Sequence, residues 1–237
     1  HDNYLDSNTS SSTGGHGQQM NVDGTRNVLI YNNIFKNSKT FIMGAHGNIG
    51  SNTGLAMYNN ISYGQQGDSL TACFANAGSA ANNVIVGSNF HNNTFVNINC
   101  GGRGAVFVGN LTDVSSQKSY AYNNLFYNVA HPRMDNPGFT AGAIIHDNNA
   151  YLSCTGIYSS AAESAPLIGS ADPFVDLEAG NFRLAVGAKP NSRGKNLSIY
   201  FTTDKDGRPR GSSLWSIGAY RAGGPAPPEN ITITIKQ

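Results

Sequence analysis

The sequence predicts an all-β solenoid, a parallel β-helix of about six coils followed by a C-terminal cap. Three observations carry this: a composition hostile to helix, an Asn-Asn motif that recurs every 25–33 residues, and short alternating apolar runs beside the copies. Of 237 residues only 12% are charged, about half the roughly 25% of an average soluble domain. Gly (28 residues) and Asn (30 residues) fill the gap. Both are poor in helix interiors, and Glu, a good helix former, is absent before position 163. Both also tolerate left-handed backbone cheaply, so many tight bends are expected.

The same composition excludes several classes. No apolar run approaches the roughly 18–20 residues of a spanning helix, and mean hydropathy is −0.32. With 11 Tyr, 11 Phe and a net charge of +1, the chain lacks the signature of disorder. Near-balanced charge with no Lys/Arg cluster in the sequence argues against a nucleic acid or anionic membrane partner.

The motif runs Tyr31-Asn32-Asn33-Ile34-Phe35, Tyr58-Asn59-Asn60-Ile61-Ser62, His91-Asn92-Asn93-Thr94-Phe95 and Tyr122-Asn123-Asn124-Leu125-Phe126. Looser copies are Asp147-Asn148-Asn149-Ala150-Tyr151 and, at the start, His1-Asp2-Asn3-Tyr4-Leu5. A variable period around a constant centre is what a solenoid gives when its corners are fixed and one loop changes length. Val28 and Ile30 alternate before one pair, Leu55 and Met57 before the next, which makes about three strands of 4–6 residues per coil. At a sharp corner Asn supplies left-handed geometry together with a donor and an acceptor along the stacking axis. Stacked amides then form a ladder, with the aromatic three positions on stacked inside. The competing architecture is an antiparallel propeller or sandwich, in which Asn-Asn would mark hairpins, but those place turns every 8–12 residues.

The stretch Asn27–Phe35, of the form Asn-Val-x-Ile-x-Asn-Asn-x-Phe, resembles the coil of right-handed parallel β-helix proteins, chiefly secreted bacterial polysaccharide lyases. A second set of segments resembles the end of such helices: Asp172–Asp176, Gly180–Leu184, Asp204-x-Asp206-Gly207-x-Pro209-Arg210 and Ile217–Tyr220. It departs from that pattern at Gly187–Gly194. The resemblance implies right-handedness, a secreted or cell-surface location of bacterial type, and a polysaccharide partner bound along the helix flank. It also implies Ca²⁺ as a possible cofactor, although the carboxylates Asp2, Asp6, Asp23, Asp68, Asp113, Asp135 and Asp147 are scattered singly and assign no metal site.

Along the chain, residues 1–155 hold the coils with 13 charges, and residues 156–221 hold 14, as the terminal coil and cap. Residues 222–237 read as a Gly/Pro-rich linker, then Ile alternating with Thr or Lys at the start of a further segment. With no initiator Met and no signal peptide, the chain is expected to be part of a longer multidomain exported protein. Cys73, Cys100 and Cys154 follow no metal spacing.

In coils this poor in charge, charged residues among glycines are the candidates for chemistry. His16 in Gly14-Gly15-His16-Gly17 and His46 in Gly44-Ala45-His46-Gly47 are 30 residues apart, close to one coil. A neutral, accessible imidazole serves as general acid or base, or else caps its own turn. Arg103, in Gly101-Gly102-Arg103-Gly104, suits bidentate capture of a uronate carboxylate. In a lyase that contact stabilises the enolate left when the α-proton departs, with His46 or Lys118 as base and His16 as acid or subsite. His131, Arg133 and Asp135 in a loop between two prolines, and Asp23 after the strand at Met20, are assigned to substrate binding. The expected function is β-eliminative cleavage of an acidic polysaccharide. The alternatives are a non-catalytic adhesin, tail-fibre or stalk module, and a glycoside hydrolase, which lacks the paired acids it needs.

Overall fold

The computed structural model describes residues 1–8, 18–22, 24–38, 40–44, 52–64, 74–76, 84–99, 107–108, 110–111, 118–132, 144–156 and 163–223. Among these there is no helix, and all but one small sheet are parallel. Seven strands form the longest sheet: Tyr4–Asn8, Ile34–Ser38, Ile61–Tyr63, Thr94–Asn99, Leu125–Ala130, Ala150–Leu152 and Leu167–Gly169. A five-stranded sheet stacks Leu29–Tyr31, Ala56–Tyr58, Asn89–His91, Ser119–Tyr122 and Ile144–Asp147. A four-stranded sheet (Gln18–Val22, Thr40–Gly44, Phe74–Asn76, Phe107–Val108) and a three-stranded one (Asn52–Thr53, Val84–Val86, Asn110–Leu111) complete the parallel set. Strands enter each sheet in chain order, one after another, an arrangement compatible with a parallel β-helix solenoid.

The Asn pairs join the five-stranded to the seven-stranded sheet, and their two members divide the work. The first member takes the left-handed conformation: Asn32, Asn59, Asn92, Asn123 and Asn148 have φ of 50–59°, and Asp2 has 57°. The second points inward and builds the ladder. Asn33 Nδ2 donates to Asn60 Oδ1 (3.1 Å), Asn60 to Asn93 (3.0 Å), Asn93 to Asn124 (3.1 Å) and Asn124 to Asn149 (3.0 Å). Each of these oxygens also accepts the backbone N–H of the preceding member, at 2.8–3.1 Å.

The ladder ends on Glu163, whose side chain is wholly buried. Its Oε2 accepts Asn149 N–H (3.1 Å), and its Oε1 accepts Asn149 Nδ2 (2.9 Å), the Tyr151 hydroxyl (2.5 Å) and His146 Nδ1 (3.0 Å). A carboxylate accepts without donating, so it takes the last rung's two donors and passes nothing on.

The core lies between the sheets. Phe95, Phe126 and Tyr151 stack inside at 5.1 and 5.3 Å, while Ser62 breaks the column below them beside Phe35. The outer face of the seven-stranded sheet is apolar too: Ile61, Val96, Leu125, Ala150 and Leu152 pack against Phe174, Phe182, Leu184, Ile217 and Tyr220 of the C-terminal segment. That segment carries the antiparallel pair Phe174–Asp176 and Asn181–Leu184. Its contacts run lengthwise along the flank of the stack.

Candidate functional site

The outward-facing first members of the Asn pairs hold the C-terminal segment in place. Asn59 Nδ2 donates to Thr203 O (2.9 Å), Asn92 Nδ2 to Ser216 O and Gly218 O (both 2.9 Å), and Asn123 Nδ2 to Lys195 O (2.8 Å). Asn123 Oδ1 accepts Lys195 N–H in return, and Lys205 Nζ reaches Asn32 O. Four successive corners are thereby tied to one strap. Burial lowers the Lys205 pKa despite the nearby Asp2 and Asp206.

What the strap carries is positive charge. Residues 183–223 contain eight cations (Arg183, Lys189, Arg193, Lys195, Lys205, Arg208, Arg210, Arg221) and two anions, Asp204 and Asp206. Neither anion is available to a ligand. Asp204 is fully buried, and its oxygens accept the backbone N–H of Asp206, Arg208 and Arg221. Asp206 is engaged by Arg183, at 2.8 and 3.0 Å, and by Arg208 at 3.5 Å. Lys189, Arg193, Lys195 and Arg221 are exposed. Pooling the charges hides this asymmetry; counting them by sign along the chain reveals it, and corrects the reading that the sequence has no Lys/Arg cluster.

Beside the cations lies an aromatic shelf. Tyr200 is 41% exposed and packs, tilted, 4.7 Å from His91. Half-buried Tyr120 is near enough to raise the Tyr200 pKa further, beyond the upward push of burial. Lys195 Nζ sits 4.6 Å over the Tyr122 ring. Beneath them His91 is buried, its Nδ1 3.3 Å from the Tyr122 N–H, and desolvation lowers its pKa to about 3. That leaves a neutral ring whose Nε2 has no hydrogen-bond partner among the described residues.

Of the residues proposed from sequence, His16, Asp23, His46, Arg103, Arg133 and Asp135 lie outside the described residues, as do Cys73 and Cys100. Lys118 directly precedes Ser119–Tyr122, two residues from Tyr120. His131 follows Leu125–Ala130 with φ of 56°, its ring set against Gly156, where an added Cβ would lie 2.3 Å from Nδ1. Lys118 and His131 therefore stand at opposite ends of a path of two strands and a corner. Cys154 Sγ lies 3.5 Å from Phe126 O and 3.4 Å from Leu152 O. Among the described residues no group of His, Cys, Asp and Glu could hold a metal ion, and no helix is long and apolar enough to cross a membrane. No protein-family model matches the chain, and no curated protein matches it. The arrangement defines an all-β protein of parallel strands in stacked sheets with a cationic strap along one flank.

Proposed function

We propose that the chain is a right-handed parallel β-helix of about six coils, with residues 156–221 as terminal coil and cap, that binds an extracellular acidic polysaccharide along its flank. The observation that carries this is the strap: eight cations against two internally engaged anions, spread lengthwise beside Tyr120 and Tyr200. Strands of one sheet repeat at about 4.8 Å, so a polymer lying along the axis meets a line of contacts. Sugar rings pack on tyrosine faces, while Lys and Arg answer the carboxylates. The proposal extends to β-elimination, with Arg103 neutralising the uronate, His46 or Lys118 as base and His16 as acid. Ca²⁺ would assist if required. The protein would act outside the cell or on its surface, as part of a longer chain.

Retention in gels containing pectate, alginate or chondroitin sulfate, against neutral dextran and duplex DNA, tests the binding. Retention by the acidic glycans that weakens with salt and in Lys195→Glu supports the proposal. Equal retention by DNA points to a nucleic acid partner, and no retention refutes it. Absorbance of unsaturated ends, with and without Ca²⁺, tests cleavage. A second reading, a non-catalytic stalk, is favoured by the unbroken ladder from Asn33 to Asn149. It predicts binding or rigidity with no absorbance change on any substrate.

A further inference from the structure

The strap contains a cavity of about 320 Å³ lined by Ser192, Arg210, Ser213, Leu214, Ser216 and Arg221 among others. Among the described residues no carboxylate lines it. Arg210 is buried, yet among the described residues it makes no ion pair. Its Nη2 donates to Asn59 Oδ1 (2.8 Å), Gly218 O (3.0 Å) and Ala219 O (2.8 Å), and its Nε to Thr203 O (3.3 Å). Nη1, with two hydrogens, reaches only Ser216 O at 3.4 Å, so donor capacity remains on a group that borders the cavity. The one carboxylate that acts on it, Asp204, does so at a distance, its oxygens being taken by backbone N–H groups. Among the described residues the Arg221 side chain meets only carbonyls, Pro209 O at 2.8 Å and Gly223 O at 3.5 Å. Ser216 Oγ accepts Ala222 N–H (2.9 Å), and its own hydrogen has no acceptor among the described residues.

Two guanidinium groups and a hydroxyl hydrogen thus border one open cavity, with no anion among the described residues to meet them. We infer that this cavity binds a single oxyanionic group, the carboxylate or sulfate of one acidic sugar residue. The sugar rests on the reading of an acidic polysaccharide; the anion rests on the cavity alone. Two charge-assisted contacts set its selectivity, because a neutral hydroxyl offers a guanidinium much less than an oxyanion does.

Trp215 reports on the site. It is the sole Trp of the chain, buried, 5.2 Å from the Arg210 guanidinium, and its Nε1 donates to Gly211 O beside the cavity. Fluorescence is titrated with galacturonate, with a sulfated monosaccharide and with galactose, at ionic strength held constant by chloride. A saturable change with either acidic sugar and none with galactose is expected. Arg221→Met and Ser213→Asp, both at exposed positions, should weaken it about tenfold or more, the contribution of one charge-assisted hydrogen bond. Melting curves check that both variants stay folded. An absent response, an equal response to galactose, or a response that both variants keep overturns the inference. Polymer retention without a Trp215 response refutes the cavity alone. A Trp215 response without polymer retention refutes the flank reading alone.

Discussion

Replacing Asn93 by Asp tests the ladder with almost no change of shape. Asn93 is 1% exposed; its Oδ1 accepts Asn60 N–H (3.1 Å) and Asn60 Nδ2 (3.0 Å), and its Nδ2 donates to Met57 O (3.0 Å) and Asn124 Oδ1 (3.1 Å). Aspartate keeps the accepting half and reverses the donating half, setting a second oxygen against two acceptors. Two buried acceptors each lose this donor and face an oxygen instead, although Asn124 Oδ1 keeps the Asn93 N–H; at about 1–3 kcal/mol for each, the change costs about 2–6 kcal/mol in all. For a chain of this size that lowers Tm by about 5–20 °C. Charge burial adds a pH dependence. The native state disfavours the ionised group, so its folded pKa rises above the unfolded value of about 3.9. The variant is then closest to the parent below about pH 4 and loses ground as pH rises. The assay is thermal unfolding at about pH 4 and pH 7. Asn97→Asp is the control: Asn97 is exposed, and its Oδ1 keeps Asn128 Nδ2 at 2.7 Å, so Tm should stay within about 2 °C. An Asn93→Asp variant equally close to the parent at neutral pH would refute the ladder's energetic role.

Glu163→Gln puts an NH₂ group against one of its donors, costing about 1–3 kcal/mol, with hydrogen exchange rising at the Asn149 N–H and not at Asn60; uniform exchange along the ladder would refute a local terminator. His91, held neutral by burial with its pKa lowered to about 3, makes stability fall as pH drops below about 6.5, because the unfolded chain gains a proton the native chain refuses. His91→Gln should flatten that slope in denaturant titrations, and an unchanged slope would assign it to other groups. Gly218 has φ of 101°, and a Cβ there would lie 2.9 Å from Thr94 Oγ1, the acceptor of Ala219 N–H. Gly218→Ala should cost about 1–3 kcal/mol and expose the strap to limited proteolysis before the stack unfolds; a digestion pattern like the parent's would count against that docking.

The regular part of this molecule was legible because its periodicity is written in residue identity. Tyr31-Asn32-Asn33-Ile34-Phe35 and its copies predicted parallel strands, left-handed corners and an amide ladder, with the aromatic three positions on facing inward, as Phe35, Phe95, Phe126 and Tyr151 do. The sequence did not separate the two members of each pair, because turning and laddering ask for the same residue type. Glu163 was unreadable as a terminator: its partners at 146, 149 and 151 reach it only through the register of two sheets. The strap's charge was readable, but summing signs to +1 concealed it. Scarcity of charge in the coils points to His16, His46 and Arg103 and away from Arg210 and Arg221, where the cations are dense.

The strap also bears on how such a chain can change length over evolutionary time. Each ladder Asn offers the same donors to one neighbour and the same acceptor to the other, so a whole repeat is an exchangeable part. The strap makes four of those parts non-exchangeable, because its bonds to Asn32, Asn59, Asn92 and Asn123 act as a fixed-length gauge laid against them. A repeat duplicated between Asn32 and Asn123 would displace the gauge by about 4.8 Å and part Arg210 from Asn59 or Lys195 from Asn123. Duplication ahead of Asn32 would leave every mark aligned. These bonds therefore confine growth and loss of repeats to parts of the stack outside Asn32–Asn123, and the cationic flank is passed on with its dimensions intact.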